Sequence, residues 1–275
     1  MAIEPQRDVV EYYERYAEET RLQRGPFQLE LERTREILRR VLPAPPARVV
    51  DVGGAAGAYS AWLAANGYDV RLLDLSPRLV EEARTRNAAL AHKITALDVG
   101  DARALPYDSG SADAVLVMGP LYHLPSADDR LAALREALRV LVPGGVVAVA
   151  AISRFASALD GVARARAVDP AFVRMRDRDL VDGQHRNDTS RDDYFTTAYF
   201  HRPEELQGEL ARVGFLDARV LGVEGPAWMV ADFDARWADP VLRGDMIDVA
   251  RAVEAEPAML GVSAHLLGIG RKAPR

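Results

Sequence analysis

Between Val49 and Gly57 the chain reads Val-Val-Asp-Val-Gly-Gly-Ala-Ala-Gly, an acid at the end of an apolar run followed by three glycines in five residues. Glycine lets the backbone bend sharply and removes the Cβ that holds a ligand away. A strand, this turn and a following helix therefore make a cradle for an anion or a cofactor. Asp51, two residues before Gly53, narrows the choice. A pyrophosphate at such a turn would be repelled by a carboxylate, so the loop suits a ligand with a cationic end. Asp74 closes the next apolar run, about 20 residues past the loop, where a carboxylate accepts hydrogen bonds from both hydroxyls of a ribose. Its alternative is an acid favoured by a helix dipole, although Ser76 already suits the capping position.

These residues need a scaffold, and the pattern around them supplies one. Val9, Tyr12, Tyr13 and Tyr16 fall at the i, i+3, i+4, i+7 spacing of one helix face. The stretch FQLELERTREILRRVL makes a second amphipathic helix, stopped by the prolines of LPAPPAR. Strands and helices then alternate. ARVVDVG, YDVRLLDLS, ITALDVGDA, ADAVLVMGP and VVAVAAIS read as strands. Between them lie helices over AAGAYSAWLAANG, over the segment opened by Ser76 and Pro77, and over DDRLAALREALRVLVPGG. This order implies a parallel sheet covered on both faces. The segment 154–200, rich in Arg and Asp, reads as a mostly helical, solvated insertion or lid, its charge run from Arg174 to Asp193 a solvated helix face. A helix from Pro203 and strands over LDARVLGVEG and SAHLLGIGRK follow, with Trp228–Pro257 as another insertion.

The 275 residues suffice for one such domain with a full core, so residues 1–275 are read as one unit with a helical cap over 1–45. Hydrophobic residues at 49% and charged residues at 28% are ordinary for a soluble protein. The net charge of -6 argues against a nucleic-acid partner, which needs a clustered basic surface. Without cysteine there is no disulfide, thiolate zinc site, cysteine nucleophile or thiolate-held iron–sulfur cluster. The N-terminus lacks the pattern of a signal peptide, and no apolar stretch approaches the ~18 residues that cross a bilayer. The expectation is a cytoplasmic protein without membrane insertion.

With these residues in view the sequence resembles the class I S-adenosylmethionine-dependent methyltransferases. Their first motif, acid-x-Gly-x-Gly-x-Gly, reads here Asp51-Val52-Gly53-Gly54-Ala55-Ala56-Gly57, with Ala55 replacing the middle glycine. A positive φ at Ala55 would be strained. Asp74 matches the family's ribose-binding acid, and GDARALPYDSGSADAVLVMG looks like its adenine-binding turn and fourth strand. The resemblance is strong over 49–153 and looser over 202–272. It implies a Rossmann-like, doubly wound, mostly parallel seven-stranded sheet with helices on both faces. It also implies that Asp101 bonds the adenine amino group and that the Ala102 N–H meets the ring. Leu75 and Met118 would sandwich the adenine, with Gly119 leaving room, or else are plain core. Tyr12, Tyr13 and Tyr16 either close over the cofactor or pack on the domain body.

MGPLYHLPS follows the fourth strand at the edge where ligands collect in such folds. His123 is the best-placed general base there, unless it only pins its own turn. The loop lacks the Asn/Asp-Pro-Pro-aromatic run of DNA and protein amide methyltransferases, which points to a small-molecule acceptor. His185, Tyr194, Tyr199, His201 and Trp228 are candidates for lining the acceptor pocket. VAVAAISRF offers no carboxylates and the histidines are scattered, so no metal is expected. The expected reaction is methyl transfer to oxygen, nitrogen or carbon. A non-catalytic S-adenosylmethionine sensor is the first alternative, since no side chain is obligatory in this chemistry. A nicotinamide oxidoreductase is the second, against which stand the missing Gly-x-Gly-x-x-Gly run and the acid ahead of the loop.

Overall fold

The computed structural model describes residues 7–15, 18–189 and 191–275. Two helices, α1 (Arg7–Arg15) and α2 (Phe27–Val41), precede the sheet. Then β1 (Arg48–Val52), α3 (Ala58–Ala65), β2 (Asp69–Asp74), α4 (Pro77–Ala89), β3 (Ala96–Val99) and β4 (Ala112–Val117) alternate. α5 (Ala127–Val140) leads into the long β5 (Leu141–Ser153). The insertion carries α6 (Ala156–Ala163), α7 (Pro170–Asp182), β6 (Gln184–His185) and β7 (Ala198–His201). The chain ends with α8 (Pro203–Val213), β8 (Leu216–Gly222), α9 (Phe233–Ala238), α10 (Pro240–Val253) and β9 (His265–Arg271).

The sheet runs β3-β2-β1-β4-β5, all parallel, and continues through antiparallel β9 to β8. That is the expected Rossmann-like, doubly wound architecture. Alternation along β1 sends Val50 and Val52 to one core face and Val49 to the other, where helices α2 and α3 cover it with Ile37, Leu38 and Leu63. α10 is tied to α2 by Glu254, which accepts from the fully buried Arg33 and from Arg40. No helix among the described residues is long and apolar enough to cross a membrane.

Three expectations need correction. The helix α5 stops at Val140, and Leu141-Val142-Pro143-Gly144-Gly145 opens β5 instead of ending the helix. Pro143 cannot donate to a helix ladder, and Gly144 takes a left-handed φ of 79°, so the run forms an irregular strand start paired to Ala112 and Lys272. The insertion is not only helical. β7 pairs in parallel with the last residues of β5, and β6 pairs with β7, adding two strands to the expected seven. Its charge run is not simply solvated either: Asp179 is fully buried, accepting from Ser157 Oγ at 2.6 Å and bonded to His185 Nδ1 at 2.9 Å.

Candidate functional site

β1, β2 and β4 end side by side, so the loops after Val52, Asp74 and Val117 meet at one edge of the sheet. Gly53 leaves β1 with φ 76°, its N–H donating to the Leu73 carbonyl at 2.7 Å. Ala55 takes φ 47°, the left-handed conformation that its lack of glycine made costly. A hydrogen bond offsets the strain, since the Ala55 N–H donates to Asp74 Oδ2 at 2.9 Å. Asp74 Oδ1 accepts from the Ser76 N–H, also at 2.9 Å, and Ser76 caps α4 through the Leu79 N–H. Asp74 thus ties the glycine loop to the start of α4 and still lines the cavity between them.

Asp51 lies beneath this loop rather than in it. It is fully buried, accepts from Ser60 Oγ at 2.6 Å, and leaves Oδ1 without a hydrogen-bond partner. Gly54 is what allows this, because a Cβ there would lie 2.9 Å from the carboxylate and 2.7 Å from Leu72. The cavity wall contains neither Asp51 nor Gly57, which instead caps α3 at φ 86°. Direct contact between Asp51 and a ligand in the cavity is therefore blocked by the loop.

Burial raises the Asp51 pKa to about 6. The native state then binds more protons than the unfolded chain between the usual carboxylate value and about 6, so this group costs stability as pH rises through that window. Asp51→Asn keeps an oxygen for Ser60 and removes the charge. Its stability relative to the parent should rise by on the order of 1 kcal/mol or more between acidic and neutral pH, read by urea unfolding. A pH-independent difference would mean that the acid carries no penalty.

The first cavity, of about 260 Å³, is lined by Gly53, Gly54, Ala55 and Ala56, by Asp74 and Leu75, by Asp101 and Ala102, and by Met118 and Gly119. Tyr13 and His123 close its far side. Asp101 is held by Arg103, whose Nη2 and Nε donate at 2.7 and 3.0 Å and whose backbone N–H adds a third bond. Burial raises its pKa, but these bonds outweigh burial and keep the group ionised below the usual range. Tyr16 lies outside the described residues.

A second cavity, of about 370 Å³, opens beside the first and shares Tyr13, Arg21 and Tyr122 with it. His185, Tyr194 and Trp228 line it, joined by Phe172, Phe195 and Phe200. His185 presents only ring surface: Asp179 and the Tyr194 carbonyl take its two nitrogens, and its ring stacks on Phe200 at 4.6 Å. Tyr199 and His201 are not in this wall. The Tyr199 ring packs under the Arg130 guanidinium at 3.7 Å, and the buried His201 bonds Glu209, so both belong to the packing of α5 against α8.

His123 sits in the 3₁₀ turn Pro120–His123, almost buried, at the wall of the first cavity. Its Nδ1 faces the Thr197 carbonyl at 3.3 Å, and a carbonyl only accepts, so Nδ1 carries the proton. In the neutral ring Nε2 then accepts from the Tyr13 hydroxyl at 2.8 Å. Phe195 flanks the imidazole with ring centroids 5.5 Å apart.

Sequence reasoning missed Arg21, Glu224 and His265, which line the second cavity, and Glu30, which holds Arg21 from behind that wall. Arg21 donates to both Glu30 oxygens at 2.6 and 3.2 Å, and His265 gives its backbone N–H and Nδ1 to Glu224 at 3.0 and 2.5 Å. The signal was present at the ends of two apolar runs. Antiparallel pairing of β8 with β9 places the Glu224 that follows one beside the His265 that opens the other. Glu30, Glu224 and His265 also lie within metal-ligating distance of one another, although each carboxylate already holds a cationic partner.

Residues 50–149 match the family model described as a methyltransferase domain. Over these residues the chain is similar to methyltransferase domains. It is also similar to the demethylmenaquinone methyltransferase of Beutenbergia cavernae, 38% identical over 109 residues, 40% of this chain and 42% of the relative. A ubiquinone biosynthesis O-methyltransferase of Xanthomonas campestris is 36% identical over 112 residues, 40% of this chain and 45% of the relative. The chain thus spans less than half the length of these curated relatives. Among solved structures, a methyltransferase from Thermotoga maritima described as a possible histamine N-methyltransferase superposes with a TM-score of 0.60 at 20% identity, covering 97% of this chain and 99% of that one. That likeness extends the methyltransferase fold through the insertion and the last strands.

Proposed function

We propose that this chain transfers a methyl group from S-adenosylmethionine to an oxygen, nitrogen or carbon of a small organic molecule. The observation that carries the reading is the junction of two cavities at Tyr13 and Tyr122, one walled by bare glycine-loop backbone and acids, the other by aromatic rings. Residues of the first cavity fit the cofactor. Asp74 suits the ribose diol, Asp101 and Ala102 the adenine edge, and Leu75 and Met118 its faces. Asp51 Oδ1, the orphaned acceptor behind the loop, suits the ammonium through a water. The cofactor supplies a methyl group on a sulfonium, already an excellent leaving group. What remains for the protein is orientation and exclusion of water, worth up to roughly 7–11 kcal/mol in favourable cases. The 1–45 and 154–200 segments serve as the cap and lid that do so, with Tyr13 and Phe195 at the junction.

Where the acceptor must lose a proton, Tyr13 and His123 take it. The Tyr13 oxygen receives the acceptor's proton as the tyrosine's own proton passes to His123 Nε2. The resulting imidazolium donates from Nδ1 to the Thr197 carbonyl and from Nε2 to Tyr13.

Titration calorimetry with S-adenosylmethionine and S-adenosylhomocysteine tests the reading, and absence of heat with both refutes it. Asp74→Ala should weaken binding by about tenfold or more, the loss of charge-assisted bonds to the diol. Because Asp74 also holds the Ala55 and Ser76 N–H groups, a thermal melt of the variant separates loosening of the loop from loss of the contact. An unchanged dissociation constant would contradict the ribose role.

A further inference from the structure

The wall formed by Arg21, Glu224 and His265, with Glu30 behind it, has no part in the proton path above, yet Arg21 and His265 face the second cavity. Glu224 is almost fully buried, and His265 meets it through both its backbone N–H and Nδ1, which fixes the ring. This leaves Nε2 of His265, which makes no hydrogen bond to another described residue. An oriented imidazole with one nitrogen spent on a carboxylate and the other open beside a cavity is a ligand contact in waiting.

The charges decide what kind of ligand. Arg21 balances Glu30 through two bonds, and a protonated His265 balances Glu224, with Glu30 a further 3.7 Å away. The wall is then neutral as a whole. A carboxylate entering it would meet two buried glutamates with no uncompensated cation, and an ammonium would meet Arg21 and the imidazolium. A neutral oxygen disturbs neither balance and accepts the Nε2–H bond. Elsewhere in the wall Arg164 and Arg166 are ion-paired to Asp160 and Asp193, and the rings of Phe195, Phe200 and Trp228 ask for a flat apolar body.

We propose that His265, held by Glu224, binds a neutral carbonyl oxygen on a planar aromatic methyl acceptor. This rests on the reading of the second cavity as the acceptor site. Burial lowers the His265 pKa, but Glu30 and Glu224 outweigh burial and the opposing Arg21, so the group titrates above its ordinary value. The Nε2–H donor accordingly persists to higher pH than in a free imidazole and is lost as pH rises through that raised value.

The test uses the full chain with S-adenosylhomocysteine present and three naphthalene probes followed by calorimetry: 2-acetylnaphthalene, 2-ethylnaphthalene and 2-naphthoate. The ketone should bind about tenfold or more tighter than the ethyl compound, one hydrogen bond from a charged donor, and tighter than the carboxylate. Its advantage should disappear at alkaline pH. His265→Asn keeps a donor toward Glu224 and removes Nε2, so it should level the ketone with the ethyl compound. Glu224→Gln should move the loss of the ketone's advantage to lower pH. Equal affinity for ketone and ethyl probes in the parent protein overturns the proposal without need of any variant, as does a His265→Asn protein that still prefers the ketone. Heat with S-adenosylhomocysteine but none of these differences rejects this inference alone. No heat with S-adenosylhomocysteine rejects the methyltransferase reading itself.

Discussion

Gly53→Ala should lower stability by about 2–4 kcal/mol and slow turnover on the order of a hundredfold. Two costs combine at this position. At φ 76° an alanine sits in the left-handed region, and its Cβ would lie 2.3 Å from Pro120 Cδ and 2.8 Å from Cγ. No Cβ tolerates that approach, so the glycine loop and the turn Pro120–His123 must separate by roughly an ångström, a displacement that costs about 10²-fold where reacting groups are aligned. The turn carries Tyr122 and His123, so one methyl group displaces both the wall of the first cavity and the proposed proton acceptor. Gly57→Ala is the control. Its φ of 86° imposes similar backbone strain, but the nearest atom to its Cβ is 3.4 Å away, and the expected loss is about 1–2 kcal/mol with turnover largely kept. Urea unfolding and single-turnover rates of both variants separate strain from crowding. If the two behave alike, the Gly53–Pro120 contact does not set the geometry of the site.

The same contrast explains what was legible in the sequence. Gly53, Ala55 and Gly57 announce a special backbone because the requirement for positive φ is local, and all three take it. Ser76 and Pro77 mark the start of α4 for an equally local reason, an oxygen on the Leu79 N–H and a fixed φ at the first turn. The alternation of strands and helices followed from hydrophobic runs. What stayed hidden depends on distant pairing. Tyr13 and His123 meet from 110 residues apart, and Glu224 and His265 from 41. Asp179 looked like any acid in a charged run, because composition does not say which carboxylate turns inward to Ser157 and His185. Tyr199 and His201 looked like pocket residues for the same reason, until α8 brought Glu205 and Glu209 to them. Pro143-Gly144 reads as a helix stop, which is correct as to where the helix cannot go, but silent on the strand it begins.

Tyr13→Phe and His123→Ala should each reduce kcat by about a hundredfold for an acceptor that must lose a proton, the usual range for general-base catalysis. Cofactor affinity should change little. Phe retains the ring that Tyr13 places in both cavity walls, and only the hydroxyl that donates to Nε2 is removed. A purely structural pair gives a different signature. If the hydroxyl merely fixed the α1 helix against the turn, Tyr13→Phe would lower the melting temperature and raise KM, leaving the pH profile of kcat in place. As a proton path, the pair should shape the pH profile of kcat in the parent, and that dependence should be absent in His123→Ala. The double variant is the sharper test. A relay works as one unit, so removing both members should cost hardly more than removing either, whereas independent roles would multiply their losses. Raising the pH with a buffer base should partly restore turnover in both single variants, because solvent then takes the proton that the pair no longer carries. Full activity in His123→Ala would leave the acceptor deprotonated by water alone and confine Tyr13 to closing the cofactor cavity.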